Sequence, residues 1–246
     1  QPIHFALQLE ANEIDSKREQ PLDFCVVLDR SASMGGEPLN QAKAAAILAV
    51  RNLRKNDRFA LIIFNQEART LFPLQKVTDK AELTRQIQSI RAGGGTNLTG
   101  GWMLGRDALK QGSSSTTRRL LLLSDGQLNQ GITDTDQVLG IIFSGLKNDH
   151  IRTSSLGFGE HYDEDLLSEL ANRTNGQFYD ANSADKLPPI FEAELDGLQR
   201  ISAQNIRVRL KPLDFCDNLQ PLGTQPSVIL PDGRMEYSLG DLVSGE

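Results

Sequence analysis

Residues 22–29 read LDFCVVLD, an almost unbroken apolar run that ends in a carboxylate. Such a run is typical of a strand that is buried on both faces of a parallel sheet. A polar stretch, DRSAS, follows at once at residues 29–33. The same succession returns at residues 120–126, which read LLLLSDG. In open α/β sheets the ligand-binding crevice lies beyond the carboxyl ends of the strands, so we expect both polar stretches at that edge.

Strand and helix patterns alternate over much of the chain, which is the signature of a doubly wound α/β domain. The strand patterns cover Leu22–Asp29, Phe59–Phe64, Glu67–Leu74, Arg119–Ser124, Ile151–Gly157 and Gly176–Asp180. The helical patterns cover Pro38–Leu53, Thr78–Ile90, Leu98–Lys110, Asp134–Lys147, Asp163–Arg173 and Lys186–Leu198. Pro73 places the third strand at an edge of the sheet, because proline has no N–H to donate to a neighbouring strand.

The two ends of the chain follow a different pattern. Apolar and polar residues alternate in four segments, as is typical of antiparallel strands: Ile3–Leu9, Gln204–Leu210, Ser227–Leu230 and Arg234–Leu239. The sequence PDG at residues 231–233 predicts a turn. We expect residues 21–200 to form the α/β domain. We expect residues 1–20 and 201–246 to form a small antiparallel β-sandwich annex, cut short at residue 246 because the chain is a fragment of a longer protein.

Composition excludes several classes of function. The chain has 246 residues and a formal net charge of −6, and its basic residues form no stripe with interleaved aromatics, so nothing favours nucleic acid. No apolar run approaches the roughly 20 residues that a membrane helix needs. The lack of a signal peptide favours the cytoplasm, while a missing native N-terminus leaves the periplasm and the cell surface open. The oligomeric state is not indicated.

A third polar stretch, GGGTN at residues 93–97, completes a set of oxygen donors. The glycines allow backbone shapes that can bring Thr96 over the ends of the strands. The two carboxylates repel each other when brought close, which favours a bound cation. The donors are all hard oxygens, which suit Mg²⁺ or Mn²⁺ and do not suit Zn²⁺ or copper. The set consists of Asp29, Ser31, Ser33, Thr96 and Asp125.

In this order the three stretches resemble the von Willebrand factor A domain family with its metal-ion-dependent adhesion site (MIDAS). The sequence GFG at residues 157–159 and a following Leu-Leu helix fit the same order, and the resemblance covers residues 22–200. It is greatest for bacterial stand-alone members and for the A domains of inter-α-trypsin-inhibitor heavy chains and calcium-activated chloride channel accessory proteins.

The resemblance implies the roles of the five donors. Ser31, Ser33 and Thr96 would coordinate Mg²⁺, with Mn²⁺ or Ca²⁺ as alternatives, and Asp29 and Asp125 would hold the ion directly or through water. Ala32 stands where the family commonly has glycine, a position that supplies no side-chain ligand. Only Glu37 lies just past the motif, so we expect no second adjacent ion.

The family resemblance also implies a function, a protein-binding module whose ion is completed by an Asp or Glu of a partner protein. A regulatory or assembly subunit, for example of an AAA+ ATPase system, would use the same chemistry, and the sequence does not separate the two. We expect no enzyme. Phosphatases with an aspartate nucleophile need a second Asp where this chain has Ser31. A hydrolase with a Ser/His/Asp arrangement that includes His161 is compatible with the sequence alone.

Three further residues carry expectations about packing. We expect Trp102 in the core. Arg30 is more often a solvated arginine than one that steers an acidic partner, and Phe158 is expected either as an exposed contact residue or as a buried one.

Overall fold

The computed structural model describes residues 6–10, 21–112, 116–180, 186–191, 201–212 and 227–243. The chain divides into two compact units, one of residues 20–198 and one of residues 1–19 together with 199–246. Within the described residues, no helix combines the length and the apolar character that crossing a membrane requires.

The larger unit is built on a six-stranded sheet with the order β3-β2-β1-β4-β5-β6. The pairs β1–β2, β1–β4, β4–β5 and β5–β6 are parallel, and only β3 runs antiparallel to its neighbour β2. The strands are β1 (Leu22–Asp29), β2 (Arg58–Phe64), β3 (Ala68–Gln75), β4 (Thr117–Ser124), β5 (Arg152–Gly157) and β6 (Phe178–Asp180). The mostly parallel sheet, with an edge strand that contains Pro73, confirms the predicted fold class.

Helices flank this sheet. They are α1 (Glu37–Asn52), α2 (Lys80–Gln88), α3 (Leu98–Lys110), α4 (Thr135–Asp149) and α5 (Glu164–Arg173). Residues 187–191 are helical as well, and the rest of the helix predicted to Leu198 lies outside the described residues. The helical pattern predicted from Thr78 starts two residues too early, because α2 begins at Lys80. The Asp79 carboxylate caps this helix by accepting from the Glu82 N–H at 2.8 Å, at a helix end that favours negative charge.

The centre of the sheet positions the polar loops. Every residue of β1 is buried, and β1 pairs with β2 on one side and with β4 on the other. The chain therefore reverses its winding at β1, and the loops that follow β1 and β4 open at the point where ligands bind in such sheets.

Helix α3 packs closely on the same central strands. A Cβ at Gly101 would lie 2.6 Å from the Phe64 ring, and one at Gly105 would lie 2.6 Å from Val27 Cγ2. The Trp102 indole is fully buried and its N–H donates to Thr153 Oγ1 at 3.0 Å, which confirms its place in the core. Phe158 is fully buried too, so it is not a contact residue.

The smaller unit contains a three-stranded antiparallel sheet with the order β7-β9-β8. Its strands are β7 (Ile201–Leu210), β8 (Ser227–Ile229) and β9 (Met235–Val243). The predicted turn at residues 231–233 closes the β8–β9 hairpin, with Gly233 at φ 80°. The described N-terminal residues 6–10 form no strand, and the rest of the predicted strand Ile3–Leu9 lies outside the described residues, as do residues 11–20. The sandwich annex thus stays a prediction.

Candidate metal centre

Asp29 ends β1 and is fully buried. Its Oδ1 accepts from the Ser31 N–H at 2.8 Å, and its Oδ2 accepts from the Ser124 hydroxyl at 2.6 Å. These bonds fix the carboxylate between the loops that follow β1 and β4. The Ser31 and Ser33 hydroxyls lie 3.1 Å apart, and Ser33 is exposed, so the cluster opens to solvent on that side.

The Asp29 carboxylate is costly to ionise. Its pKa is raised to about 6, mainly by burial and least by the nearby charge of Asp125, while the bonds from Ser124 and Ser31 lower it. No lysine or arginine forms an ion pair with Asp29 in the part of the chain that the structure describes. A cation bound beside Asp29 would therefore stabilise its charged form.

The glycine loop is bonded to the DRSAS loop by its backbone. The Gly93 N–H donates to the Arg30 carbonyl at 2.8 Å, and the Ala32 N–H donates to the Gly94 carbonyl at 3.0 Å. Gly94 has φ 88°, and a Cβ there would lie 1.8 Å from Gln66 Oε1. The positive φ favours glycine at this position, whereas the Gln66 side chain is exposed and flexible enough to move aside.

Thr96 is held between the β1 and β4 loops. Its N–H donates to Asn129 Oδ1 at 2.7 Å, and its carbonyl accepts from the Gln130 N–H at 3.2 Å. Thr96 is fully buried, yet its hydroxyl has no hydrogen-bond partner among the residues that the structure describes. Burying an unpaired hydroxyl costs about 1–3 kcal/mol, so this oxygen is expected to have a partner other than the described side chains and main chain.

Asp125 follows β4 and is almost fully buried. Its Oδ1 accepts from the Gln127 N–H at 3.1 Å, and its carbonyl accepts from the Asp163 N–H at 2.7 Å, so the loop is joined to the start of α5. Gly126 has φ 72° and donates its N–H to the Ser124 hydroxyl at 3.0 Å. Ser124 thus bonds to both sides of the cluster.

All five predicted donors lie in three loops that these hydrogen bonds join at the carboxyl edge of the sheet. Within the described residues there is no group of three or more His, Cys, Asp or Glu side chains that could hold a metal. The donor set is two carboxylates and three hydroxyls, and the unpaired Thr96 hydroxyl and the buried Asp29 carboxylate both fit a hard divalent cation. That these residues are metal ligands stays a prediction.

Sequence reasoning missed three residues that position the donors. Ser124 orients Asp29, Asn129 holds Thr96, and Asn65 Nδ2 donates to the Gly93 carbonyl at 2.8 Å. Ser124 belongs to the SDG stretch, and its place directly after a buried strand was a usable signal. The two asparagines lie in loops without periodicity, and nothing in the sequence distinguishes them from other loop asparagines.

The arrangement gives no support to a hydrolase of the Ser/His/Asp kind. His161 is exposed, and its carbonyl, not its ring, accepts a hydrogen bond, from Gln127 Nε2 at 2.9 Å. Among the hydrogen bonds of the described residues, none joins the His161 imidazole to a serine hydroxyl.

Comparison with known proteins decides the family. The family model of the von Willebrand factor type A domain matches residues 23–193, well over half of the chain. The chain belongs to the von Willebrand factor type A domain family. The resemblance drawn from the three polar stretches is thereby confirmed.

Two of the relatives that the chain matches are longer than the matched region. This von Willebrand factor A chain is 32% identical over 248 residues to an uncharacterized protein of Synechocystis sp., covering 98% of this chain and 58% of that protein. It is 27% identical over 187 residues to inter-alpha-trypsin inhibitor heavy chain H1 of Bos taurus, covering 71% of this chain and 20% of that protein. The chain therefore spans only part of the length of these relatives.

Solved structures share the fold. A von Willebrand factor type A protein from Catenulispora acidiphila superposes with a TM-score of 0.72 at 18% identity, covering 93% of this chain and 56% of that chain. Proximal thread matrix protein 1 from the mussel byssus, with a zinc-occupied MIDAS motif, superposes with a TM-score of 0.59 at 20% identity, covering 78% and 50%. At these identities the likeness shows the fold alone. Domains of this family are commonly metal-dependent protein-interaction modules.

Proposed function

We propose that this von Willebrand factor A domain is a divalent-metal-dependent protein-binding module, in which a bound Mg²⁺ or Mn²⁺ is completed by an Asp or Glu of a partner protein. The observation that carries the proposal is the fully buried Thr96 hydroxyl, which has no hydrogen-bond partner within the described part of the chain although its own backbone N–H is bonded. A buried oxygen without a hydrogen bond lowers stability, and a ligand that binds this oxygen would explain why it is retained.

The hydroxyl donors and the carboxylate donors would bind the ion in different ways. Ser31, Ser33 and Thr96 would coordinate the ion through neutral hydroxyls, and Asp29 and Asp125 would hold it directly or through water. Ser124 keeps the Asp29 carboxylate oriented, and Asn129 keeps Thr96 in place. Because most of these donors are neutral, the bound ion would retain affinity for one further carboxylate, which supports a partner that presents an acid.

The choice of ion follows from the same donors. The mussel protein of similar fold carries zinc in its MIDAS motif, which supports metal binding at the corresponding edge of this chain. The donors here include neither imidazole nor thiolate, and hydroxyl and carboxylate oxygens suit Mg²⁺ and Mn²⁺ better than zinc.

Calorimetric titration of chelator-treated protein with Mg²⁺, Mn²⁺ and Ca²⁺ tests the proposal. We expect one-site binding of Mg²⁺ and Mn²⁺ that Asp29→Asn abolishes. Asp107→Asn is the matched control, because it makes the same chemical change on the exposed face of α3 and should leave binding intact. Lack of binding at millimolar concentrations of every ion, or equal binding by Asp29→Asn, would show that the proposed centre is wrong.

A further inference from the structure

Three cationic side chains gather at the carboxyl-terminal end of α2. Arg30 Nη1 donates to the Arg91 carbonyl at 3.3 Å, and Lys43 Nζ donates to the Gln88 carbonyl at 3.3 Å. Arg91 Nη1 donates to the carbonyls of Gln88 and Ile90 at 3.1 and 3.2 Å. Arg91 is exposed, and the other two are half-buried. We call Arg30, Lys43 and Arg91 the basic rim.

The basic rim is not neutralised by the described part of the chain. No Asp or Glu among the described residues forms an ion pair with any of its three members, and all their acceptors are main-chain carbonyls. The pKa of Lys43 is lowered, first by burial and then by the charge of Arg91, so the cations crowd one another. This local surplus of positive charge occurs on a chain whose formal net charge is −6.

The basic rim adjoins the candidate metal centre. Arg30 lies between Asp29 and Ser31, and its carbonyl accepts from the Gly93 N–H at 2.8 Å. Arg91 precedes Gly93 by two residues, so the basic rim spans two of the three loops that carry the donors.

Capping of α2 accounts for only part of the basic rim. Cations near the last carbonyls of a helix stabilise it through the helix dipole, which explains why a cation lies here but not why three do. Three cations converge here, and Arg30 Nε is a buried donor that has no hydrogen-bond partner among the described residues. Arginine carries five N–H donors and lysine three, so most of their capacity is left for an anion.

We propose that the basic rim is a second contact for the partner protein, and that it selects a segment in which the metal-binding Asp or Glu has further acidic residues beside it. This inference rests on the proposed function. Complementary charge at the border of an interface accelerates association and rejects partners of the wrong sign, which is the role assigned to Arg30, Lys43 and Arg91.

Selection from a peptide library tests this contact without a known partner. The probe is a phage-displayed library with one fixed Asp between random residues, bound to immobilised chain in Mg²⁺ and eluted with a chelator. We expect Asp and Glu to be enriched beside the fixed position. The best peptide, made synthetically, should lose about tenfold in affinity for Lys43→Glu/Arg91→Glu, and binding to the unchanged chain should weaken with salt.

A matched double variant keeps the test specific. Lys55→Glu/Lys147→Glu makes the same change in net charge at exposed lysines before β2 and β5, at the opposite edge of the sheet, and should alter affinity less than twofold, since charges beyond about 10 Å are screened. If Lys43→Glu/Arg91→Glu, the charge-reversal variant, does not fold, Lys43→Gln/Arg91→Gln should still lower the affinity for the peptide, by a smaller factor.

The outcomes separate the two proposals. One contrary result is that the selected peptides need Mg²⁺ but lack acidic residues beside the fixed Asp, and another is that they bind the charge-reversal variant as well as the unchanged chain. Either result overturns the proposed role of the basic rim and leaves the metal-dependent binding module intact. Failure of Mg²⁺ and Mn²⁺ to bind in the calorimetric titration overturns the proposed function and the basic rim with it. Binding of the ion without any peptide that requires it overturns the protein-binding part of both.

Discussion

The Thr96 side chain shows how a single atom can reveal a site. Its side chain is buried, and its hydroxyl makes no hydrogen bond to any described residue, although the Ser31 and Ser33 hydroxyls pair with each other and Ser124 pairs with Asp29. In a domain optimised for stability alone, valine would fill the same space without the cost of an unpaired oxygen. We infer that Thr96 exchanges some stability for function.

The change Thr96→Val tests that inference directly. We expect Mg²⁺ affinity to fall by about tenfold or more, because one oxygen ligand is lost, and the metal-free free energy of unfolding to stay equal or rise by about 1 kcal/mol. Titration calorimetry and urea unfolding measure the two effects. Thr96→Ser retains the hydroxyl and should retain metal affinity. A variant Thr96→Val that binds Mg²⁺ normally would contradict the assignment.

Asp29 makes the site dependent on pH. Burial raises its pKa from 3.8 to about 6, so the folded chain holds this proton more tightly than the unfolded chain does. Its contribution to metal-free stability is therefore complete below pH 3.8 and is lost as the pH rises through about 6. Mg²⁺ competes with the same proton, so the apparent affinity should fall about tenfold from pH 7 to pH 5.

Titrations at pH 5, 6, 7 and 8 check this dependence. In chelator, Asp29→Asn should lose the part of the stability profile that declines through pH 6, since the amide does not ionise. An affinity for Mg²⁺ that is constant from pH 5 to pH 8 would refute the role of Asp29.

At the level of elements, α3 determines where Thr96 lies, because its first turn directly follows the GGGTN loop. The helix approaches β1 and β2 at positions where it carries no side chain, Gly101 and Gly105. A larger residue at either position would push α3 outward and displace the loop at its amino terminus. The two glycines therefore connect core packing to the geometry of the candidate metal centre.

We predict that Gly105→Ala destabilises the chain by about 1–3 kcal/mol, because its Cβ would meet Val27 Cγ2 at 2.6 Å and Leu120 Cδ1 at 3.0 Å. Gly140→Ala on α4 is the control, since nothing lies within 4 Å of a Cβ there. The same change at that position should stabilise by up to about 1 kcal/mol through helix propensity. Urea unfolding of both variants measures the difference, and equal effects would contradict the close approach of α3.

For the molecule as a whole, metal should stabilise one region of the chain. At a Mg²⁺ concentration 100 times its Kd, the folded state should gain about 2.7 kcal/mol against unfolding. We expect hydrogen exchange to slow most at residues 29–35, 93–97 and 124–130, and not in β7, β8 and β9. Mass-spectrometric exchange with and without Mg²⁺ checks this pattern, and protection spread evenly over both units would argue against a local centre.

The fold was predictable because a buried parallel strand needs an apolar residue at nearly every position, and runs such as those of β1 and β4 are uncommon in strands that expose one face to water. The edge of the sheet that carries the donors was predictable for the same reason, since Asp29, Ser124 and Asp125 come where such runs end. Helix α3 has the bounds that were predicted from its amphipathic pattern.

The supporting contacts were not predictable, because they join residues far apart in the chain. Asn129 reaches Thr96 and Asn65 reaches Gly93 through loop conformations that leave no periodic trace in the sequence. Strand β5 was predicted, but the burial of its polar side chains was not. Its Thr153, Ser154 and Ser155 are fully buried, although hydroxyl residues are more often found outside the core.

The antiparallel edge strand β3 has a consequence for the behaviour of the protein at high concentration. Pro73 offers no N–H, and the pairing of β3 with β2 shifts register twice, so an extended segment of a neighbouring molecule meets no continuous row of donors there. Among the described residues the opposite edge is β6, which is three residues long. These features oppose growth of the six-stranded sheet from molecule to molecule, which is the first step towards a fibril.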